Sequence, residues 1–381
     1  MEAEEGLAIP SITGGEAASN DLAYQRRSLQ DVSRTFALTI PELPPALRDV
    51  VGNAYLLCRL ADTIEDDAAL EPATKRQFSE SFISVVEGDT DPDVWSALVL
   101  PHLSTQTPPA ERDLVAHCST VLRITATFND SQRSALARCV RIMARGMSDF
   151  QEAPGPQGLE SIVTLDRYCY HVAGVVGEML TALFCDYSPD IRRHKTTMMP
   201  LAVSFGQGLQ MTNILKDVWA DYERGVCWLP QDVFAHAGGP RGQTPAEADP
   251  GVYQAGVRQL VGVAHAHLRN ALRYTLLIPR RELGVRRFCL WALGMAVLTL
   301  RKIHEHPPQA GTTVVKISRR AVKATVLTTS AAAGNDWALN RLFSLAANGL
   351  PLARLDGETS VDAVSQWREN ELSEPDAGAR S

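Results

Sequence analysis

From Asp21 onward, apolar residues recur at steps of three and four, and alternation with a period of two is almost absent. That spacing lays apolar side chains along one stripe of a helix and does not fit a strand, so the chain is expected to be all-α. Its 381 residues, 45% of them hydrophobic, suffice for one large helical domain with an ample core. Helices are expected over about 46–69, 131–150, 165–184, 198–224, 252–276, 282–304 and 313–346. The Pro-rich stretches "IPELPP" and "SALVLPHLSTQTPPAERD" separate helices. Residues 235–251, "AHAGGPRGQTPAEADPG", form the one long internal loop, and loops of that length are often lids. The domain is expected to span 21–347, with residues 1–20 lacking fixed structure and 348–381 forming a polar tail whose end, "SEPDAGARS", is disordered.

A net charge of −7 excludes the basic face that nucleic-acid binding needs. An anionic substrate would therefore depend on local Arg and Lys or on a bound cation. The seven cysteines show no CxxC pair and no metal spacing, and their apolar neighbours suggest buried thiols in a reducing compartment. The acidic start "MEAEEGLAIP" is no signal or transit peptide, so a cytoplasmic protein is expected. "FCLWALGMAVLTL" is the longest uncharged apolar run, at 13 residues against the ~20 that a spanning helix needs. A core helix is expected there, with at most a peripheral membrane association. Two of the nine histidines form "HAH" at 265–267; positions i and i+2 diverge on a helix, so both are expected at the surface.

"YLLCRLADTIEDDAAL" sets carboxylates inside an otherwise apolar helical segment. Asp62, Glu65 and Asp66 stand at i, i+3 and i+4 on one face, with Arg59 a turn before and Tyr55 a turn before that. In "QMTNILKDVWADYERG", Asn213, Asp217 and Asp221 step by four, flanked by Lys216 and Arg224. The plain alternative is two solvated acidic faces. Against it, both stripes have apolar flanks, and inward-facing carboxylates without cations would be costly. Mg²⁺ resolves the repulsion, since it takes oxygen ligands from a few carboxylates together with substrate phosphates.

These residues resemble the squalene and phytoene synthase family. "DTIED" resembles its first aspartate-rich motif, "NILKDVWAD" its second, "SRTFALTIP" its phosphate-binding segment and "YCYHVAGVVG" its central tyrosine motif, in the family's order over about 25–325. "VVKISRRAV" resembles the basic segment of the family's squalene synthase branch, although Lys216 replaces a usual Arg and Ser318 and Arg320 change the basic spacing. The resemblance implies a single-domain, all-α class I prenyl synthase bundle with a central cavity, and a monomer is expected. It further implies head-to-head joining of two farnesyl diphosphates, followed by NADPH-dependent reduction to squalene. Asp62, Glu65, Asp66, Asp217 and Asp221 would hold Mg²⁺. Ser33, Arg34, Phe36, Tyr55, Arg59, Asn213, Lys216 and Arg224 would bind substrate.

Tyr168 would accept the proton lost on cyclopropane formation, although a phenol is a poor base without a partner. The cavity must exclude water, with Phe36, Leu180, Phe184, Phe205 and Phe288 as wall candidates and the small residues of "VAGVVG" letting the backbone approach the isoprenoid. No GxGxxG is present, so NADPH would bind through charge: Lys316, Arg319 and Arg320, expected on one helical face. The alternatives are a phytoene or dehydrosqualene synthase, which uses no reductant, a helical interaction protein with decayed motifs, and a chain-elongating synthase. The intact carboxylates oppose the second, and the absence of a leading Asp pair in "DTIED" opposes the third.

Overall fold

The computed structural model describes residues 14–33, 35–150, 155–310 and 315–355. Among these the chain is helical throughout, with no strand beyond a single bridge between Leu159 and Pro230. The first half comprises α1 (Gly14–Val32), α2 (Phe36–Thr39), α3 (Pro45–Asp66), α4 (Pro72–Glu87), α5 (Pro92–Val99), α6 (Pro109–Ala116), α7 (Cys118–Ala126) and α8 (Asp130–Asp149). Then come α9 (Ile162–Cys169), α10 (Val175–Tyr187), α11 (Pro189–Arg192), α12 (Lys195–Glu223) and α13 (Gln231–His236). The last four are α14 (Pro250–Leu277), α15 (Leu283–Glu305), α16 (Arg319–Ala332) and α17 (Asp336–Ala346). Residues Tyr170–Gly174, between α9 and α10, form one π-helical turn.

The prolines start helices as often as they separate them. Pro45, Pro72, Pro92, Pro109 and Pro250 each open a helix, where the missing N–H has no partner to lose. Asn129 and Gln132 form a reciprocal capping box on α8, and Asp249, Ser318 and Asn335 cap α14, α16 and α17. α1 begins at Gly14, earlier than the boundary expected at 21. The helix expected over 313–346 is two helices, interrupted at Ala333–Asn335, and Lys316 lies in an extended segment before α16. The beginning of the expected tail is also ordered. The Ala353 N–H donates to the Gly262 carbonyl at 3.1 Å, seating residues up to 355 on α14.

α12 runs through the centre, packed by α10, α14 and α15, while α3 sits against α1, α7, α8 and α10. One contiguous apolar core joins both halves, including Leu57, Leu60 and Ile64 of α3 and Met211, Leu215 and Val218 of α12. α10 approaches α12 backbone to backbone. A Cβ on Gly177 would come within 2.2 Å of the Ala202 carbonyl, and one on Gly206 equally close to the Ala173 carbonyl. The glycines of "VAGVVG" therefore serve the close packing of this segment on α12.

Ile162–Tyr187 and Leu283–Glu305 are long and apolar enough to cross a membrane, but 61% and 56% of their apolar windows are buried within the bundle, as in core helices. All seven cysteines are buried and free. His265 and His267 are buried as well, because α14 is covered on both sides: His265 meets the Pro351 carbonyl at 2.8 Å, and His267 meets Ser204 and Asp166.

Candidate active site

Two helices bring the carboxylates together. α3 ends in the stripe Asp62, Glu65 and Asp66, and α12 ends in Asn213, Asp217 and Asp221. Burial pushes the Asp62 carboxyl up to about 7; the charge of Asp66 adds to the rise, Arg59 opposes it, and Glu111 and Glu65 add further. Asp66 opens to solvent yet is surrounded by protein, as at the floor of a cleft. Desolvation raises its carboxyl, while Arg59 on its own helix and Arg224 at the end of α12 oppose the rise. Asp221 is also raised by burial against the pull of Arg224, with Asp217 and Asp66 adding to it. Asp66 and Asp221 thus lie within each other's field, so the stripes face one another across α3 and α12.

The cations are placed unevenly. Arg59 makes its short ion pair, 2.6 Å, with Glu111 of α6, and reaches Asp62 only at 3.5 Å. Lys216 pairs with Asp217 at 2.8 Å, and Arg224 pairs with Asp221. Lys75 of α4 donates to the Glu65 carbonyl and lowers the carboxyl of Asp66. Asp67 has a different role from its neighbours. It accepts from the Ser104 N–H at 2.7 Å, the Thr107 hydroxyl at 2.6 Å and the Ala69 N–H at 2.9 Å. Burial acts to raise its carboxyl, but these hydrogen bonds outweigh it and hold Asp67 below the usual range. It is an anchor for the 103–107 loop.

Among the described residues, no three His, Cys, Asp or Glu side chains stand close enough to hold a metal ion by themselves. The donor set still fits Mg²⁺. Asp62, Asp66 and Asp221 carry raised proton affinities through desolvation and neighbouring carboxylates, which a hard divalent cation relieves, and Mg²⁺ ordinarily completes its shell with water and substrate phosphate.

Tyr168, on α9, is partly buried and faces the same stripe. Burial raises its phenol well above the usual value, with Cys169, Glu65, Asp66 and Asp62 adding to it. Its ring stacks on Trp228 at 3.8 Å between centroids and meets the edge of Phe150 at 5.3 Å. Tyr55 and Ser33 hold the turn between α1 and α2: the Tyr55 hydroxyl donates to the Val32 carbonyl at 3.2 Å, and the Ser33 hydroxyl accepts from the Phe36 N–H at 3.0 Å. Arg34 lies outside the described residues. Phe36, Tyr55, Phe288 and Phe184 form a run of aromatic contacts at 5.2–6.5 Å. Phe184, Phe205 and Phe288 are buried; Phe36 and Leu180 are partly exposed. Asn213 is exposed on the α12 stripe.

Arg319 and Arg320 are exposed in the first turn of α16, and the exposed Lys316 precedes its cap Ser318. The Lys316 carbonyl accepts from Lys302 Nζ at 2.7 Å. The expected shared helical face of Lys316 and Arg319 is absent because Ser318 caps the helix between them. The long loop has its own pocket, lined by Cys227, Leu229, Phe234, Pro240 and Thr244, with none of the carboxylates in it.

Glu111, Lys75, Phe150 and Trp228 were not singled out in the sequence. The first two are tied to the stripe by tertiary contacts, and no local spacing announces them. Trp228 had a signal in its position just beyond the second carboxylate stripe.

The sequence model of the Squalene/phytoene synthase family matches residues 29–321. A squalene synthase of Eremothecium gossypii is 32% identical over 279 residues, 71% of this chain and 60% of that protein. Squalene synthase clz20 of Cochliobolus lunatus is 28% identical, over 80% of this chain and 71% of that one. The chain thus spans about 60% of the length of the first of these relatives. The solved structure of TcSQS with a bound ligand superposes with a TM-score of 0.72 at 24% identity, covering 91% of this chain and 99% of that one. A dehydrosqualene synthase structure superposes with a TM-score of 0.57 at 21% identity, over 82% and 96%.

Proposed function

Since the chain belongs to the squalene/phytoene synthase family, we propose that it joins two farnesyl diphosphates head to head and reduces the product to squalene with NADPH. The observation that carries this reading is the convergence of Asp62 and Asp66 of α3 with Asp221 of α12 in one desolvated set, in which Asp66 acts to raise the carboxyls of both others, with Asp217 one turn before Asp221. Such a set binds a cation–diphosphate assembly. Bound Mg²⁺ would neutralise the departing pyrophosphate and act as a Lewis acid. Asp62, Glu65, Asp66, Asp217 and Asp221 would hold it, while Lys216, Arg224, Arg59 and Arg34 supply charge-assisted hydrogen bonds to phosphate. Asn213 adds an amide to the α12 stripe. Ser33, Tyr55 and Phe36 shape the turn between α1 and α2.

The allylic cation left behind needs a dry, polarisable wall. Tyr168, Trp228 and Phe150 offer aromatic faces and edges beside the carboxylates. The phenol of Tyr168 is held protonated, so it orients the pyrophosphate and relays a proton to it, which suits the loss of a proton on closing the cyclopropane.

For the reductive step, the first turn of α16 supports a cofactor site. Two arginines at the positive end of a helix are mutually unfavourable unless an anion sits there. Lys316, Arg319 and Arg320 would hold the phosphates of NADPH, which supplies the hydride. Dehydrosqualene synthesis, which uses no reductant, is the second reading, since a structure of that enzyme shares this fold. Incubation with farnesyl diphosphate and Mg²⁺, with and without NADPH, separates them: squalene only with NADPH supports the first, and an NADPH-indifferent product overturns it.

The chain is taken to act as a cytoplasmic monomer resting peripherally on a membrane. In support, Leu327, Trp337 and Leu345 are exposed on α16 and α17 beside Arg320, Lys323 and Arg341. Sedimentation with anionic vesicles checks this; no binding at low salt overturns it.

A further inference from the structure

A buried polar chain on the far side of Tyr168 lies outside the chemistry described so far. Asp166, on α9, is fully buried, and its side-chain partner is Nε2 of His267 on α14, at 3.4 Å. Nδ1 of the same imidazole is 2.8 Å from the hydroxyl of Ser204 on α12. That hydroxyl oxygen accepts from Nδ2 of Asn270 at 3.0 Å, and Asn270 Oδ1 accepts from the exposed Arg273 at 3.1 Å. Arg273 has no acceptor, so it fixes the amide of Asn270 with nitrogen toward Ser204. Ser204 thus accepts from Asn270 and faces Nδ1 of His267, whose Nε2 lies on the side of Asp166.

This arrangement is costly as mere packing. Neither oxygen of Asp166 has a hydrogen bond of ordinary geometry, and a buried carboxylate with one long contact is expensive. What it controls is rotation. Asp166 and Tyr168 stand at i and i+2 on α9, about 200° apart around the axis, so a contact that holds Asp166 inward turns Tyr168 toward the carboxylates. Gln207 of α12 reinforces the hold by donating to the Asp166 carbonyl at 3.2 Å. The π-helical turn that begins at Tyr170 shifts the register between α9 and α10, so the face that α9 presents is set by its own contacts as well as by the helix that follows.

We propose that Asp166 and His267 are positioning residues that set the rotation of α9 and hence aim Tyr168 at the reacting centre. The inference rests on the role given to Tyr168 above. The test is a double-mutant cycle on the full chain with Mg²⁺ and farnesyl diphosphate. Asp166→Asn is expected to lower kcat for pyrophosphate release on the order of 10- to 100-fold, with KM unchanged. In a Tyr168→Phe background the same substitution should cost nothing more. Losses that add fully in the two backgrounds overturn the positioning role and leave that of Tyr168 intact. Wild-type turnover in Tyr168→Phe overturns both. Should Asp166→Asn fail to fold, His267→Gln, which keeps a donor for Asp166, is compared with His267→Leu. Higher kcat in the Gln variant at equal KM supports the proposal, and equal kcat in the two overturns it.

Discussion

The carboxylate stripes of α3 and α12 look alike in sequence, yet the fold places them in different electrostatic positions. On α12 each carboxylate has its own cation: Lys216 for Asp217 and Arg224 for Asp221. On α3, Arg59 gives its short contact to Glu111, and Asp62 is left with a proton affinity near neutrality. Asp62 is thereby the carboxylate with the most to gain from an added cation. The α12 stripe is already compensated, and its Lys and Arg can turn to phosphate. A pattern of spacing therefore says where carboxylates cluster, while the partners brought in from α6 and α4 decide how much they need a metal.

The largest effect is expected from the under-compensated side. Asp62→Asn should lower pyrophosphate release on the order of 10²–10³-fold with the helical far-ultraviolet signature unchanged. Asp217→Asn should cost less, because the freed Lys216 remains to bind phosphate. Rates measured at saturating Mg²⁺ decide this; equal losses would remove the distinction between the stripes.

Next in size is the basic start of α16. Lys316→Ala/Arg319→Ala should raise KM for NADPH about 10- to 100-fold. The first half-reaction should be spared, so that an unreduced intermediate accumulates in product analysis. An unchanged KM would leave α16 with no part in the reaction.

A smaller effect follows from protonation. The Asp62 carboxyl is raised from 3.8 to about 7 in the fold, so its contribution to stability is full below about pH 4 and is lost as pH rises through 7. Mg²⁺ with pyrophosphate requires the ionised form. The rise in melting temperature that the pair produces should therefore be larger at pH 8 than at pH 6. A shift that is equal or smaller at pH 8 would show that Asp62 takes no part in holding the cation.

The smallest expected effect tests Glu111 directly. Glu111→Gln frees Arg59 for Asp62, and should move the midpoint of that pH dependence downward by less than about one unit. An upward move would mean that Arg59 does not serve Asp62 when released.

The helices that carry the site were legible because their signals are local. The i, i+3, i+4 spacing of Asp62, Glu65 and Asp66 and the four-residue steps to Asp217 and Asp221 are properties of a single helix. Asp67 shows the limit of that logic: one residue beyond the stripe, the helix ends, and its carboxylate turns to Ser104 and Thr107. The histidines at 265 and 267 show it again. Their divergence on α14 was foreseeable, but the covering of both sides was not, since it needs residues 343–353 on one side and α9 with α12 on the other.

The sequence by itself determined the all-α class, the two acidic stripes and the aromatic and basic motifs around them, because helical periodicity and charge spacing are written within a few turns of chain. Only the tertiary structure decided that Arg59 answers to Glu111, that Tyr168 lies between Trp228 and Phe150, that the glycines of "VAGVVG" serve α12, and that Lys316 stands outside the helix that follows it. Each of these depends on which segments, tens of residues apart, bury one another's surface, or on where a cap ends a helix. Burial and opposing charge act through space, so proton affinity, rotation and pairing at the site follow from the packing of the bundle.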